Sequence, residues 1–315
     1  MGSVVISIDA ELAWGFHDLF PLPESIERRV SNARESWQRL VEILDQYAVP
    51  ATWAVVGHLA SPDENVEAEY HELPAGIETL RAHGDGRREN WFGEDLVRDV
   101  VNADTAHEVG SHTYTHPEMG TVSAQVFETE LRLSRRMRSR FGVSVDSFVF
   151  PRNVVDHRSL LKQHGFACYR GPRPGKRRRS ELRENAAFLS GYLTDTTAPP
   201  IVTPTVDEFG LVDVPISMYL GGRKGLPWPY LDWIRGDPVV YMARRGIDSV
   251  ASRDGVFHMY LHPNDLTCEE DFARLDAILS YVSRKRDQGK IGIETMGGVA
   301  RTVTNGTSRS REGPT

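Results

Sequence analysis

The chain has little cysteine, no long apolar run and no excess of basic charge. Only Cys168 and Cys268 occur among 315 residues. Two cysteines cannot build a disulfide framework or an all-cysteine zinc site, and they fit a reducing compartment. No stretch approaches the roughly 20 apolar residues that a membrane helix needs, so no integral membrane segment is expected, while peripheral membrane contact stays open. The formal net charge is -7, which argues against a nucleic-acid partner, because such proteins usually carry a basic domain. The first residues, Met1-Gly-Ser-Val-Val-Ile-Ser-Ile-Asp9, lack the basic region of a signal peptide and read as an early strand. The expectation is a cytoplasmic protein of open oligomeric state.

What is present is a repeated rhythm of short β-branched runs and longer amphipathic stretches. Strands are expected at 4–8, 51–56, 108–110, 147–150, 166–169, 211–215, 255–261 and 291–294. Helices are expected at 24–47, 93–102, 123–140, 155–164, 239–252 and 269–286. In the first helix Ile26, Val30, Trp37, Leu40, Val41 and Leu44 fall near helical spacing. The alternation predicts a parallel sheet with helices outside, open or closed into a barrel. No linker divides residues 1–301, so one catalytic domain is expected there. The tail 302–315, rich in Thr, Ser, Asn, Gly and Arg, reads as disordered. Its Asn305-Gly-Thr307 sequon reads as chance.

In such sheets reactive groups gather at the C-terminal ends of strands. His112 and His116, in Ser111-His112-Thr-Tyr-Thr-His116-Pro117, sit four apart. On a helical turn they would share one side and could reach one small cation. Asp9 and Glu11 end the first strand and are two apart, so extended backbone points them to one face. Two such carboxylates are costly unless a cation lies near. Arg152 and His262 end two later strands. His258 lies deeper and reads as a hydrogen-bonded core histidine. One carboxylate and two imidazoles suit a divalent metal with an open face, which is a hydrolytic arrangement. A second carboxylate as base and a histidine as acid would complete amide hydrolysis. The run Arg170-Gly-Pro-Arg-Pro-Gly-Lys-Arg-Arg-Arg179 reads as a solvated loop, or as one that recognises an anion such as a substrate phosphate. Trp14, Trp91, Trp228 and Trp233 are candidates to line a sugar-binding cleft, or to pack elsewhere.

These residues resemble the polysaccharide deacetylase family, the NodB homology domain of carbohydrate esterase family 4. The resemblance spans residues 4–294. Its most specific piece is Ser111–Pro117. Ala51-Thr-Trp-Ala-Val-Val-Gly57 resembles the family's second strand. Phe150-Pro151-Arg152-Asn153 resembles the motif whose arginine holds the base, and Leu261-His262-Pro263 the motif whose histidine protonates the leaving amine. Val212-Asp213-Val214-Pro215 is a loose match with no role assigned. The chain departs from the family at the first motif. Ala10 stands where a second aspartate is usual, leaving Glu11 to reach the metal.

The resemblance implies a distorted (β/α)7-type barrel and removal of an acetyl group from an N-acetylated sugar, glycan, nucleotide-linked or lipid-linked. It implies Glu11, His112 and His116 as metal ligands, Asp9 as base, Arg152 as its holder and His262 as acid. Such a ligand set suits Zn2+ first, and also Ni, Co or Fe. Two other readings stay open: hydrolysis of another linear or cyclic amide, and a non-catalytic carbohydrate-binding role.

Overall fold

A computed structural model describes residues 1–19, 23–61, 65–74, 76–78, 88–173, 181–221 and 228–311. Strand β1 (Ser3–Ala10) is buried along its whole length and is rich in the β-branched residues that suit a pleated, covered surface. It is followed by helix α1 (Glu24–Gln46) and strand β2 (Thr52–Val55). Next come α2 (Glu94–Val101), β3 (Glu108–Ser111), α3 (Ala124–Ser134) and α4 (Met137–Phe141). Then β4 (Ser147–Val149), α5 (Arg158–Gln163), β5 (Cys168–Arg170) and α6 (Glu181–Thr194) follow. The last third holds β6 (Thr205–Val206), β7 (Val212–Asp213), β8 (Met218–Tyr219), α7 (Trp228–Arg235), α8 (Pro238–Ala251), β9 (Val256–Leu261), α9 (Glu269–Asp287), β10 (Gly292–Glu294) and α10 (Met296–Arg311).

The sheet order is β6-β7-β5-β4-β3-β2-β1-β9-β8, with β10 also pairing with the start of β1. All pairs are parallel except β6 with β7. One run of chain brings the two ends of the sheet together. Val212, Val214 and Ile216 donate backbone hydrogen bonds to β5 and its exit, at Ala167, Tyr169 and Gly171. Ser217 and Leu220 then donate to His258 and Tyr260 of β9. Counting that run as one stave, the barrel has seven, the distorted (β/α)7 form that the resemblance implies.

Alternation along the strands separates two apolar layers. Val4, Ile6 and Ile8 point outward and pack with Val30, Trp37, Leu40 and Leu44 of α1. Val5, Ala54, Val149, Cys168, Val214 and Val256 form a smaller cluster inside. Helix starts follow local chemistry: Asp237 accepts from Val239 N and Val240 N ahead of Pro238, a cap followed by proline in the first turn.

Three expectations are corrected. The helix expected over 123–140 is two helices, broken at Arg135-Arg136, where the side chain of Ser134 turns back to donate to Leu131 O (3.0 Å). Residues 302–311, expected as a disordered tail, continue α10. That helix buries Met296, Val299 and Ala300 against the inner cluster at the base of the barrel. The histidine pair is not on a helical turn: Ser111 ends β3, and Thr113 and His116 both have left-handed backbone (φ 65° and 57°).

Candidate active site

All six residues singled out in the sequence line one cleft of about 250 Å3 at the C-terminal end of the barrel strands. Glu11, His112 and His116 are buried, and one donor atom from each lies within 4.8 Å of the others. Glu11 Oε2 is 3.3 Å from His116 Nε2 and 3.5 Å from His112 Nε2. His112 Nδ1 donates to Val149 O (2.8 Å), which fixes the tautomer and leaves Nε2 free as a ligand. A carboxylate and two imidazoles converging in this way fit a divalent metal of zinc type. Burial opposes ionisation of Glu11, but the charge of His262, aided by the neighbouring His112 and His116, holds it well below the usual carboxylate range. Gly15 permits the approach: a Cβ there would lie 2.1 Å from Glu11 Oε1.

Asp9 lies beside this trio, 4.0 Å from His112 Nε2. Its partner is Arg170, which corrects the role expected of Arg152. Arg170 is fully buried. Its guanidinium grips both Asp9 oxygens, Nη2 to Oδ2 at 2.6 Å and Nη1 to Oδ1. Further bonds to Ser7 Oγ (3.1 Å) and Asn153 Oδ1 (3.0 Å) fix it, and Tyr260 stacks under it. Burial would raise the Asp9 carboxyl, yet the charge of Arg170, aided by His112 and His262, keeps it lowered. Arg152 instead pairs with Asp18 at 2.5 Å on the rim, where its side chain is 46% exposed. The cause is local: Arg152 and Asn153 both have left-handed backbone (φ 54° and 55°), so the chain turns as it leaves β4. It offers Asn153 to Arg170 and carries Arg152 away from Asp9.

His262 Nε2 stands 3.5 Å from Asp9 Oδ2 and 3.9 Å from Glu11 Oε1. Its Nδ1 donates to Asp265 Oδ2 at 2.8 Å. Asp265 is fixed in turn by Arg29 (2.6 Å) and Tyr219 OH (2.6 Å). Burial disfavours the imidazolium, but the charge of Asp265, then of Glu11, pushes the His262 pKa up to about 10. His258 lies below the site as a buried core histidine, its Nε2 2.9 Å from Ser7 Oγ.

Arg170 and Asp265 were missed in the sequence, and each left a signal. Arg170 is two residues after Cys168 on β5, hence on the same face, but it also opens the basic run and was grouped with it. Asp265 is three residues after His262, the spacing of a capping box. Residues 174–179 of the basic run lie outside the described residues. Trp14 and Trp91 are packed in the core, Trp14 Nε1 donating to Trp91 O. Trp233 is 82% exposed, and the side chain of Trp228 lies outside the described residues.

The polysaccharide deacetylase family model matches residues 27–169, which include His112, His116 and Arg152. Over that span, less than half of its length, the chain is similar to the polysaccharide deacetylases. No curated protein matches this chain in sequence. A Mycobacterium smegmatis protein assigned as a polysaccharide deacetylase shares its fold with a TM-score of 0.62 and 15% identity, over 97% of this chain and 91% of the other. A protein from Pseudomonas aeruginosa PAO1, similarly assigned, gives 0.58 and 15% over 95% and 89%. The PuuE allantoinase gives 0.59 and 11% over 95% and 89%. At such identities the likeness is one of fold. The first and last site strands of the chain, with Asp9, Glu11 and His262, fall outside the span of the family model.

Proposed function

We propose that this protein is a metal-dependent hydrolase that removes the acetyl group from an N-acetylated sugar. The observation that carries the reading is the meeting of a fixed base, a charged acid and a three-ligand metal set in one cleft. A divalent metal held by Glu11, His112 and His116 would polarise the acetyl carbonyl and lower the pKa of water. Asp9, ionised and held at both oxygens by Arg170, is placed to accept the proton of the attacking water. His262 keeps its proton at neutral pH because Asp265 sits on its Nδ1, so Nε2 can donate to the departing nitrogen. Acetate and a free amine result.

The base and the acid stand 3.5 Å apart. Phe16, Tyr219 and Tyr260 line the same cleft and give it aromatic surface beside which a sugar could bind. Hydrolysis of a cyclic amide is the second reading, favoured by the fold shared with an allantoinase.

The deciding experiment measures acetate release from N-acetylhexosamines, their nucleotide-linked forms and chitin oligomers. It compares chelated protein with the same protein resupplied with Zn2+, Co2+ or Ni2+. Release that depends on added metal is expected. Release from none of them, with turnover of cyclic amides by the metal-loaded protein, would replace the first reading with the second. Turnover of neither class would remove both.

A further inference from the structure

The loop between the two histidines of the metal site is shaped from outside. Thr113 and His116 hold left-handed backbone (φ 65° and 57°) without being glycine, a conformation that persists only where the surroundings dictate it. One side of the loop is fixed through its carbonyls. Gly57 N donates to Thr113 O (2.9 Å) and His58 N to Tyr114 O (2.8 Å). The approach is close enough that a Cβ at Gly57 would lie 2.6 Å from the Tyr114 ring.

The two N–H groups at the middle of the loop, those of Tyr114 and Thr115, are fixed by one side chain. Glu130 of α3 is fully buried. Its Oε2 accepts from Tyr114 N (2.6 Å) and Thr115 N (2.8 Å). Its Oε1 accepts from Thr115 Oγ1 (2.6 Å) and Tyr70 OH (2.7 Å). A carboxylate offers about four acceptor positions, and these four donors fill them. Tyr114 itself is buried in a small cluster with Val66, Tyr70 and Leu133, so neither the loop nor its anchor faces water.

We propose that Glu130 is the positioning residue of the metal centre. It clamps the Tyr114 and Thr115 N–H groups between His112 and His116 and so sets the separation and orientation of the two imidazoles. It is not itself a ligand. The inference rests on the metal-site reading above, and it adds a dependence of metal affinity on a side chain from a core helix.

The role differs from volume filling in a way that can be measured. Glu130→Leu keeps an apolar side chain of similar size but leaves two buried N–H groups without an acceptor. Glu130→Gln keeps the acceptor for Tyr114 N and Thr115 N. Its NH2 can donate to the Tyr70 and Thr115 hydroxyls, which accept as well as donate.

The test is Zn2+ affinity by competition with a chromophoric chelator, together with hydrogen exchange at the Tyr114 and Thr115 amides of the metal-free protein. Glu130→Leu is expected to weaken zinc binding by about tenfold or more, the scale seen when support for metal ligands is lost. It should expose both amides to exchange and lower kcat while leaving KM unchanged. Glu130→Gln is expected to restore both readouts close to wild type. Should Glu130→Leu not fold, the double variant Tyr70→Phe, Thr115→Val removes the two hydroxyl donors, and zinc binding is expected to weaken in it. A folded Glu130→Leu or double variant with wild-type zinc affinity overturns the positioning role alone. A wild-type protein that binds no zinc overturns the metal-site reading and this role with it.

Discussion

At Asp9, burial and charge pull in opposite directions. The carboxylate is 3% exposed, and an isolated charge there would be neutralised by protonation. The bidentate grip of Arg170 keeps it ionised and fixes both oxygens in one plane. Removing one partner of a buried pair leaves the other charge stranded, at about 3–5 kcal/mol. Arg170→Gln is therefore expected to lower the unfolding free energy by about that amount and kcat/KM by roughly 100-fold or more, the scale of a displaced general base. Arg152→Gln breaks only an exposed pair with Asp18, worth about 0–1 kcal/mol, and should leave both quantities near wild type. Steady-state acetate release and urea unfolding of the two variants check this, and an equal loss in both would contradict the assignment. The exchange of arginines shows what residue types alone convey. Phe150-Pro151-Arg152 carries the right residue at the right strand end, but its left-handed backbone at positions 152 and 153 is a tertiary property. Arg170 carries the period-2 signal of β5, hidden by the arginines and lysine that follow it.

At the scale of elements, buried β-branched runs and amphipathic helices were legible because each has one period and one destination. The order of these strands and helices, and their parallel pairing, followed from that pattern. Segments whose shape comes from elsewhere were not legible. The loop from His112 to His116 has helical spacing but takes its form from Gly57, His58 and Glu130. The C-terminal segment is polar overall, and among its described side chains only Met296, Val299, Ala300 and, in part, Val303 pack on the inner cluster, so composition favoured disorder. That helix closes the base of the barrel: Met296 N donates to Thr52 Oγ1 (2.8 Å) and Gly297 N to Glu108 Oε2 (3.0 Å). Truncation after Thr295 uncovers the inner cluster, at about 4 kcal/mol from the lost burial of these side chains. The expected consequence is a fall in melting temperature of about 6 °C. Truncation after Val303 keeps every described residue that packs on the inner cluster and should change it little. Equal melting of the two shortened chains would show that α10 does not cover the base.

For the whole molecule, acid is the condition that reaches the core. His58, His107 and His258 are buried, and desolvation pushes their pKa values down to about 4, 4 and 3. Each is neutral in the fold and accepts a proton on unfolding below its ordinary value of 6.5. Their contribution to stability is complete above pH 6.5 and is withdrawn as pH falls toward the folded values. In that window each adds about 1.4 kcal/mol per pH unit, so the three together give a slope of about 4. Urea midpoints between pH 6.5 and 4.5 should fall steeply, and His107→Gln should make the slope shallower. A slope unchanged by that substitution would mean that His107 is already protonated in the fold.

The claim on which the rest depends is that one divalent metal, held by Glu11, His112 and His116, makes this cleft hydrolytic. The most direct measurement is acetate release from an N-acetylated sugar while Zn2+ is titrated into chelated protein. Activity is expected to rise linearly and to break at one metal per chain, with no rise in His112→Ala. Full activity before any metal is added, or equal restoration in His112→Ala, would contradict the account.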